Sequence, residues 1–331
     1  MAEQTMRAVV AERYGDPDVL TVTRLPVPEP GPGAVRLRVA YVSLNPVDVF
    51  ARQGRWAAPL PLIPGVSHDG VVEKLGAGVD AGWLGKRVQS SGNFGGCADY
   101  SIAKPGTFSE LPAGIDWKVG AVWRGMVGTA WHSVHTAAQV QAGQTVVIHA
   151  GAGAIGIVMT QIAREKGATV IALCGGPAKI AFARPYGAQH FIDYRATDWV
   201  PEVMRLTNGR GADVILDGNG GPDTPKNYDA IAPNGLVLVM GATAGREGRG
   251  PDVPVDLLMK KSFKVGAMSL NALAADLNGR DDDLMLDAVR SGRWKIPITD
   301  VVELEDVPAL HARFERRETM GRPIIRVGGD L

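Results

Sequence analysis

The stretch from Gln144 to Leu173, QTVVIHAGAGAIGIVMTQIAREKGATVIAL, constrains this chain most: one strand, one glycine turn, one helix and a second strand can be read in it directly. Val146, Val147 and Ile148 form a β-branched run without polar alternation, the pattern of a parallel strand buried on both faces. Gly151-Ala-Gly153-Ala-Ile-Gly156 follows at once. A GxGxxG alone is weak, but one that follows a strand, opens a helix and closes a βαβ unit of about thirty residues predicts a dinucleotide site. The pyrophosphate would lie on the N–H groups and positive dipole end of a helix beginning near Ile155. Gly151, Gly153, Ala154, Ile155 and Gly156 are its expected contacts.

The end of the second strand selects the dinucleotide. A site for NAD usually places an acid about twenty residues past the glycines, where it accepts from the ribose 2′-OH and would repel a phosphate. Here the strand ends in Leu173-Cys174-Gly175-Gly176, with no acid, and Pro177 fits the first position of a helix that carries Lys179. Cys174, Gly175 and Lys179 therefore predict NADP(H), with Lys179 as countercharge to the 2′-phosphate.

At 331 residues the chain is long enough for two domains with separate cores. Its 35 basic and 35 acidic residues balance, with no basic block, which argues against nucleic-acid or membrane-surface binding. Cys97 and Cys174 are the only cysteines, too few for a disulfide framework or a CxxC pair. With no run of eighteen apolar residues and no leader-like start, the expectation is a cytoplasmic protein.

Residues 7–42 alternate strand-like runs with Gly15-Asp-Pro and the 26–33 Pro/Gly cluster, and 62–75, 86–88 and 98–102 continue the pattern, which predicts a small, partly closed antiparallel barrel. Helices are expected from Asp116 toward Met126 and over 128–138. From Gln144 to Leu270 the chain alternates strands (146–149, 169–173, 190–192, 214–216, 236–240, 263–270) with helices, which describes an α/β, doubly wound parallel sheet. Residues 283–291 are helical and 301–304 and 324–327 strand-like, so the tail is expected to return to the first domain. The expected division is 1–124, 125–273 and a return over 274–331.

These segments resemble the medium-chain dehydrogenase/reductase superfamily, and within it the zinc-independent quinone oxidoreductases. The resemblance rests on SLNPVDVFARQG (43–54), IPGVSHDGVVEKLGAGV (63–79), residues 120–156, GPAKIAFARPYGAQHFIDYR (176–195), DGNGG (217–221) and HARFERRETMGRPIIRV (311–327). It implies a GroES-like barrel catalytic domain, a Rossmann domain and NADPH as cofactor. It further implies cofactor contacts from Asn45, Thr129, Gly153, Ala154, Ile155, Lys179, Tyr194, Asn219, Gly241 and Ala242.

The zinc branch of this superfamily needs Cys, His and Cys around an open metal position. Asn45 stands where its first cysteine would be, and Gly65-Val66-Ser67 where it has Gly-His-Glu, so His68 is displaced and no metal is expected. His132 and His135 share a helical face but lack a third ligand; His149 is expected to be structural, and Asp281–Asp283 to stabilise a helix start. No nucleophile–base grouping appears, and hydride transfer needs none, because the cofactor carries the chemistry. Related enoyl reductases place a proton-donating tyrosine in a Gly-x-Tyr-Pro setting where this chain has Gly54-Arg55-Trp56-Ala57. An indole cannot deliver a proton near neutral pH, which favours a flat aromatic acceptor.

The expected catalytic residues are thus Asn45, which positions substrate and nicotinamide, and Trp56, with His68 as a lesser candidate for substrate contact or acid. Phe94, Trp123 and Trp131 complete the aromatic candidates for the pocket. The expected activity is hydride transfer from NADPH to a quinone or related conjugated carbonyl. The alternatives are reduction of an enone or enoyl C=C bond, including in trans within a biosynthetic pathway, and a non-catalytic NADPH-binding protein. The long apolar last strand of the parallel sheet, 263–270, is an edge that invites pairing, so a homodimer is expected.

Overall fold

The computed structural model describes residues 4–221, 223–241, 253–273 and 279–331, and Cα packing divides the chain into two units, Met1–Gly125 with Ile298–Leu331, and Met126–Pro297.

In the first unit, β1 (Thr5–Ala11) and β2 (Leu20–Pro26) form a hairpin. β3 (Val35–Ser43), α1 (Pro46–Arg52), β4 (Ser67–Leu75), β5 (Arg87–Ser91), β6 (Tyr100–Ala103), β7 (Phe108–Glu110) and α2 (Trp117–Val122) follow. β3 and β4 are the central pair: Val39 and Val42 of β3 join Val9, Leu62 and Ile325 in one apolar core, and Val35 and Leu37 of β3 meet Val72 of β4 and Val88 in a second. Two positions outside regular strands, Leu62 and Ala98, bridge the hairpin to this barrel.

Past α2 the helix widens. Trp123–Gly128 and His132–Ala137 are π turns flanking α3 (Thr129–Trp131). The two helices expected around 116–138 are thus one continuous helical run, because Gly125 and Gly128 are absorbed within a wide turn instead of ending it.

The second unit is a six-stranded parallel sheet: β8 (Thr145–Ile148), β9 (Thr169–Cys174), β10 (His190–Asp193), β11 (Ala212–Asp217), β12 (Ile231–Val239) and β13 (Lys264–Ala267), in the order β10-β9-β8-β11-β12-β13. The connecting helices are α4 (Ala154–Glu165), α5 (Pro177–Ala183), α6 (Trp199–Leu206), α7 (Thr224–Ala230) and α8 (Val255–Lys261). Val146, Val147 and Ile148 have no exposed surface, as a central strand covered by helices on both faces requires. The order reverses at β8, between β9 and β11, which makes the carboxyl ends of these strands the switch point of a doubly wound sheet.

Two boundaries differ from expectation. β13 is four residues instead of eight: Phe263 turns into the core and stacks on Tyr228 at 5.5 Å, and Leu270 begins a tight 3₁₀ turn. The return to the barrel begins at Ile298, not at 274. Residues 279–297, including α9 (Asp282–Arg290), stay with the second unit because Trp294 is buried there and donates to Glu165 at 2.6 Å, while Trp131 donates to Asp281 at 2.7 Å. The chain then adds β14 (Ile298–Glu303), α10 (Val307–Glu315) and β15 (Arg322–Arg326) to the barrel, β15 pairing with β3.

Candidate active site

The glycine turn is shaped by close packing. A Cβ on Gly156 would lie 2.4 Å from the Ala150 carbonyl oxygen, and one on Gly151 would lie 2.8 Å from Ala172 Cβ. Both glycines let α4 and β9 approach the turn, and Ala150 itself sits in the left-handed region at φ 50°. Gly153 is different. It caps α4 with ordinary extended dihedrals, and among the described residues only Ala150 comes near its Cβ position. The outer side of the turn is therefore left open beside the first N–H groups of α4, at Ala154 and Ile155, which have no acceptor within the helix. A twelve-residue helix aims its positive end there. This cradle fits a pyrophosphate.

At the end of β9 the Cys174 side chain is buried behind Gly151, and burial pushes its thiol up to about 11, so it is neither a thiolate nor a nucleophile. Lys179 and Asp193 lie near enough to act on it electrostatically, in opposite directions. Gly176 turns the chain at φ 110° into α5. Tyr194 follows β10 and folds back, so that a Cβ on Gly175 would lie 2.6 Å from its hydroxyl. The structure thus brings Cys174, Gly175, Lys179 and Tyr194 to one place, with no acid at the end of β9.

The loop after β11 is organised by Asp217, which sequence reading missed. Its buried carboxylate accepts from the N–H groups of Asn219 and Gly220, both at 2.9 Å, and from Thr224 Oγ1 and Asn227 Nδ2. Asn227 in turn bonds the His149 ring at 2.8 Å, and His149 packs edge-on against Trp199. The DGNGG segment was the available signal: an acid two residues before a turn asparagine commonly closes an Asx turn. Gly241 lies so close to Gly218 that a Cβ would meet its carbonyl oxygen, which ties the β12 end to the same loop. Ala242 lies outside the described residues. Thr129, half-buried in α3, lends its carbonyl to Ser133.

In the barrel unit, Asn45 precedes α1 and its carboxamide is held from both ends. Nδ2 donates to Ser43 O at 2.9 Å, and Arg322 Nη1 donates to Oδ1 at 3.1 Å and to Leu44 O at 2.6 Å. Behind it, the fully buried Asp48 accepts from the N–H groups of Asn45, Gly65 and Val66. Burial raises its carboxyl to about 6 against those three hydrogen bonds, and burial also lowers the Arg322 guanidinium to about 10. Asp48 and Arg322 were missed as well, although Pro46 and Asp48 at the first and third positions after Asn45 are a helix-start pattern.

His68 departs from expectation. It is a fully buried strand residue, with ring nitrogens on Gly65 O at 3.1 Å and Ser101 Oγ at 2.8 Å, and burial lowers it to about 4. It has no exposed atom with which to touch substrate or pass a proton. Trp123 and Trp131 are also buried core residues, not pocket walls. Trp131 spends its N–H on Asp281 and stacks on His135 at 4.2 Å. Phe94 is half-buried against the barrel core, whereas Trp56 is 50 % exposed on a loop anchored by Tyr14, whose hydroxyl donates to Ala58 O. His132 is buried and bonds Thr136, and no group of three metal-ligating side chains occurs among the described residues.

The comparisons with known proteins agree with this architecture. Residues 31–136 match the alcohol dehydrogenase GroES-like domain, and residues 154–278 match the zinc-binding dehydrogenase model. A probable quinone oxidoreductase of Schizosaccharomyces pombe is 29 % identical over 98 % of both chains. A 2-haloacrylate reductase of Burkholderia sp is 29 % identical over 96 % of this chain and 98 % of its own. A mycobacterial structure solved in complex with NADPH superposes with a TM-score of 0.88 at 26 % identity, over 97 % of this chain and 99 % of that one. With a GroES-like barrel interrupted by a six-stranded Rossmann sheet in the same chain order, this protein belongs to the medium-chain dehydrogenase/reductase superfamily, in its quinone oxidoreductase branch.

Proposed function

We propose that this protein uses NADPH to reduce a quinone or a related conjugated carbonyl compound. That it is an NADP-dependent oxidoreductase follows from its family. The observation that carries the cofactor assignment is the end of β9, where Cys174 and Gly175 stand in place of an acid and Lys179 and Tyr194 converge. Gly151, Gly153, Ala154, Ile155 and Gly156 hold the pyrophosphate, and Asn219 and Gly241 line the cofactor's path on the neighbouring loops. When bound, the cofactor supplies the hydride.

The barrel contributes alignment and hydrogen bonding. With one amide hydrogen on Ser43 and the carbonyl fixed by Arg322, Asn45 retains a second N–H to donate to the acceptor oxygen that gains charge. Trp56 offers an exposed flat face for an aromatic acceptor. Neither Asp48 nor His68 exposes a proton to that acceptor, since both are fully buried. This supports an acceptor whose reduced oxygen takes its proton from water.

Reduction of an activated C=C bond is the second reading, favoured by the likeness to a 2-haloacrylate reductase over nearly the whole chain. NADPH oxidation followed with a panel of quinones, enones and 2-haloacrylates separates the two. Turnover of quinones at least tenfold above the others is the expected result, turnover of the alkenes alone would reverse the assignment, and no turnover with any would leave a binding protein.

We further assign a homodimer paired along β13, supported by its position at the sheet edge. Among the described residues no helix is long and apolar enough to cross a membrane, and both cysteines are free and buried, which fits a reducing cytoplasm.

A further inference from the structure

The turn after β10 carries a second cation at the place already assigned to the 2′-phosphate. Asp193 does not pair with it. Its carboxylate accepts the Arg195 backbone N–H at 3.0 Å, closing a turn that throws the Arg195 side chain back toward β9. A Cβ built on Gly175 would lie 3.2 Å from Arg195 Nε and 2.6 Å from the Tyr194 hydroxyl, so both donors cover the same backbone position. Gly175 leaves room for this approach, since a side chain there would displace the two donors.

Charge accounting around this point isolates Arg195. It lines a surface cavity of about 370 Å³ together with Tyr194, Asp198, Trp199 and Lys226. Lys226 lies 3.9 Å from both Asp198 and Asp223, so its charge is balanced locally. Among the described residues, the exposed Arg195 guanidinium has no carboxylate partner. α5, with seven residues, is too short to supply the countercharge by its dipole, which leaves side chains to do so.

We infer that Arg195 is a specificity-determining residue that, with Lys179 and Tyr194, binds the adenosine 2′-phosphate and sets the preference for NADPH over NADH. The inference rests on the cofactor placement given above. A guanidinium suits the task because its planar fork can meet two phosphate oxygens at once, while Lys179 meets them as a point charge. In dinucleotide folds an arginine near this position can accommodate a 2′-phosphate, and Arg195 reaches the end of β9 from the turn after the neighbouring β10.

The test uses cofactor fragments that lack nicotinamide, so it does not depend on catalysis. Calorimetric titration of the full chain with 2′,5′-ADP and with 5′-AMP compares wild type, Arg195→Ala, Arg195→Lys and Lys179→Ala. Arg195→Ala should weaken 2′,5′-ADP roughly 10- to 100-fold, as loss of a charge-assisted hydrogen bond does, and change 5′-AMP less than about twofold. Arg195→Lys should recover part of the loss. Equal weakening of both fragments would place Arg195 on the adenine and overturn the inference. A selective loss in Lys179→Ala with none in Arg195→Ala would overturn it while leaving the cofactor placement standing. No selectivity in either variant would remove the placement itself.

Discussion

His311 shows how much a single buried side chain can weigh. It sits in α10 with no exposed surface, neither ring nitrogen has a hydrogen-bond partner among the described residues, and burial beside Arg52 lowers it to about 3. His68 is lowered to about 4 by burial. A histidine held neutral in the folded state contributes stability that is present above its ordinary value near 6.5 and is lost as pH falls toward the folded value. Asp48 has the opposite sign: raised to about 6, it contributes most below the ordinary carboxylate range and loses that contribution as pH rises to 6. Between pH 6.5 and 5 each of the two histidines gives up about 1.5–2 kcal/mol, at about 1.4 kcal/mol per proton and pH unit, while the buried Asp48 and Asp69, both raised by burial, act in the opposite direction. Urea unfolding at the two pH values checks this. His311→Phe should make acidification less costly by about that one-histidine amount and should be neutral or stabilising at pH 7.5, because it replaces an unsatisfied buried polar ring by an apolar one. An undiminished acid loss in that variant would show that His311 does not titrate in this way.

At the scale of elements, the β8–turn–α4–β9 unit was legible almost to the residue. A buried parallel strand, a tight turn and an amphipathic helix each leave a local signature, and here all three fall within thirty residues. The same cannot be said of Asp48, Arg322 and Asp217. Arg322 and Asn45 meet only because β15 pairs with β3, a contact between residues some 280 positions apart that leaves no local pattern. His68 misled for a related reason: its neighbours in sequence are loop-like, yet its register opposite Val42 and Ser90 buries it in the sheet. The glycine turn offers a sharp test. Gly156→Ala would drive a methyl group into the Ala150 carbonyl, so it should lower the unfolding free energy by about 1–3 kcal/mol and weaken NADPH and NADH binding together, since both share the pyrophosphate. Lys179→Ala should instead weaken NADPH by about 1.5–3 kcal/mol and spare NADH. Cofactor fluorescence titrations distinguish the patterns, and a Lys179→Ala loss shared by both cofactors would refute its phosphate role.

For the whole molecule, two expectations concern what the chain needs besides itself. Prolonged chelation should leave folding and activity unchanged and elemental analysis should find well under one zinc per chain, as the lack of a three-ligand group among the described residues suggests. Stoichiometric zinc that leaves together with activity would contradict this. The second is self-association. Among the described residues, β13 is the last strand of its sheet and pairs with β12 on one side only. Met268 N–H donates inward to Val239 O, so by the alternation of a strand ladder the N–H groups of Lys264 and Gly266 also face β12, and those of Val265 and Ala267 point outward. An outward row of donors on an edge strand is suited to pairing with the same strand of a second copy about a two-fold axis. Val265→Pro removes an outward donor and leaves the inward ladder to β12 intact. The variant should therefore fold with an unchanged cofactor affinity and scatter light as a monomer at micromolar concentration, where the wild type scatters as a dimer. A monomeric wild type would exclude the assembly, and a dimeric Val265→Pro would move the interface away from β13.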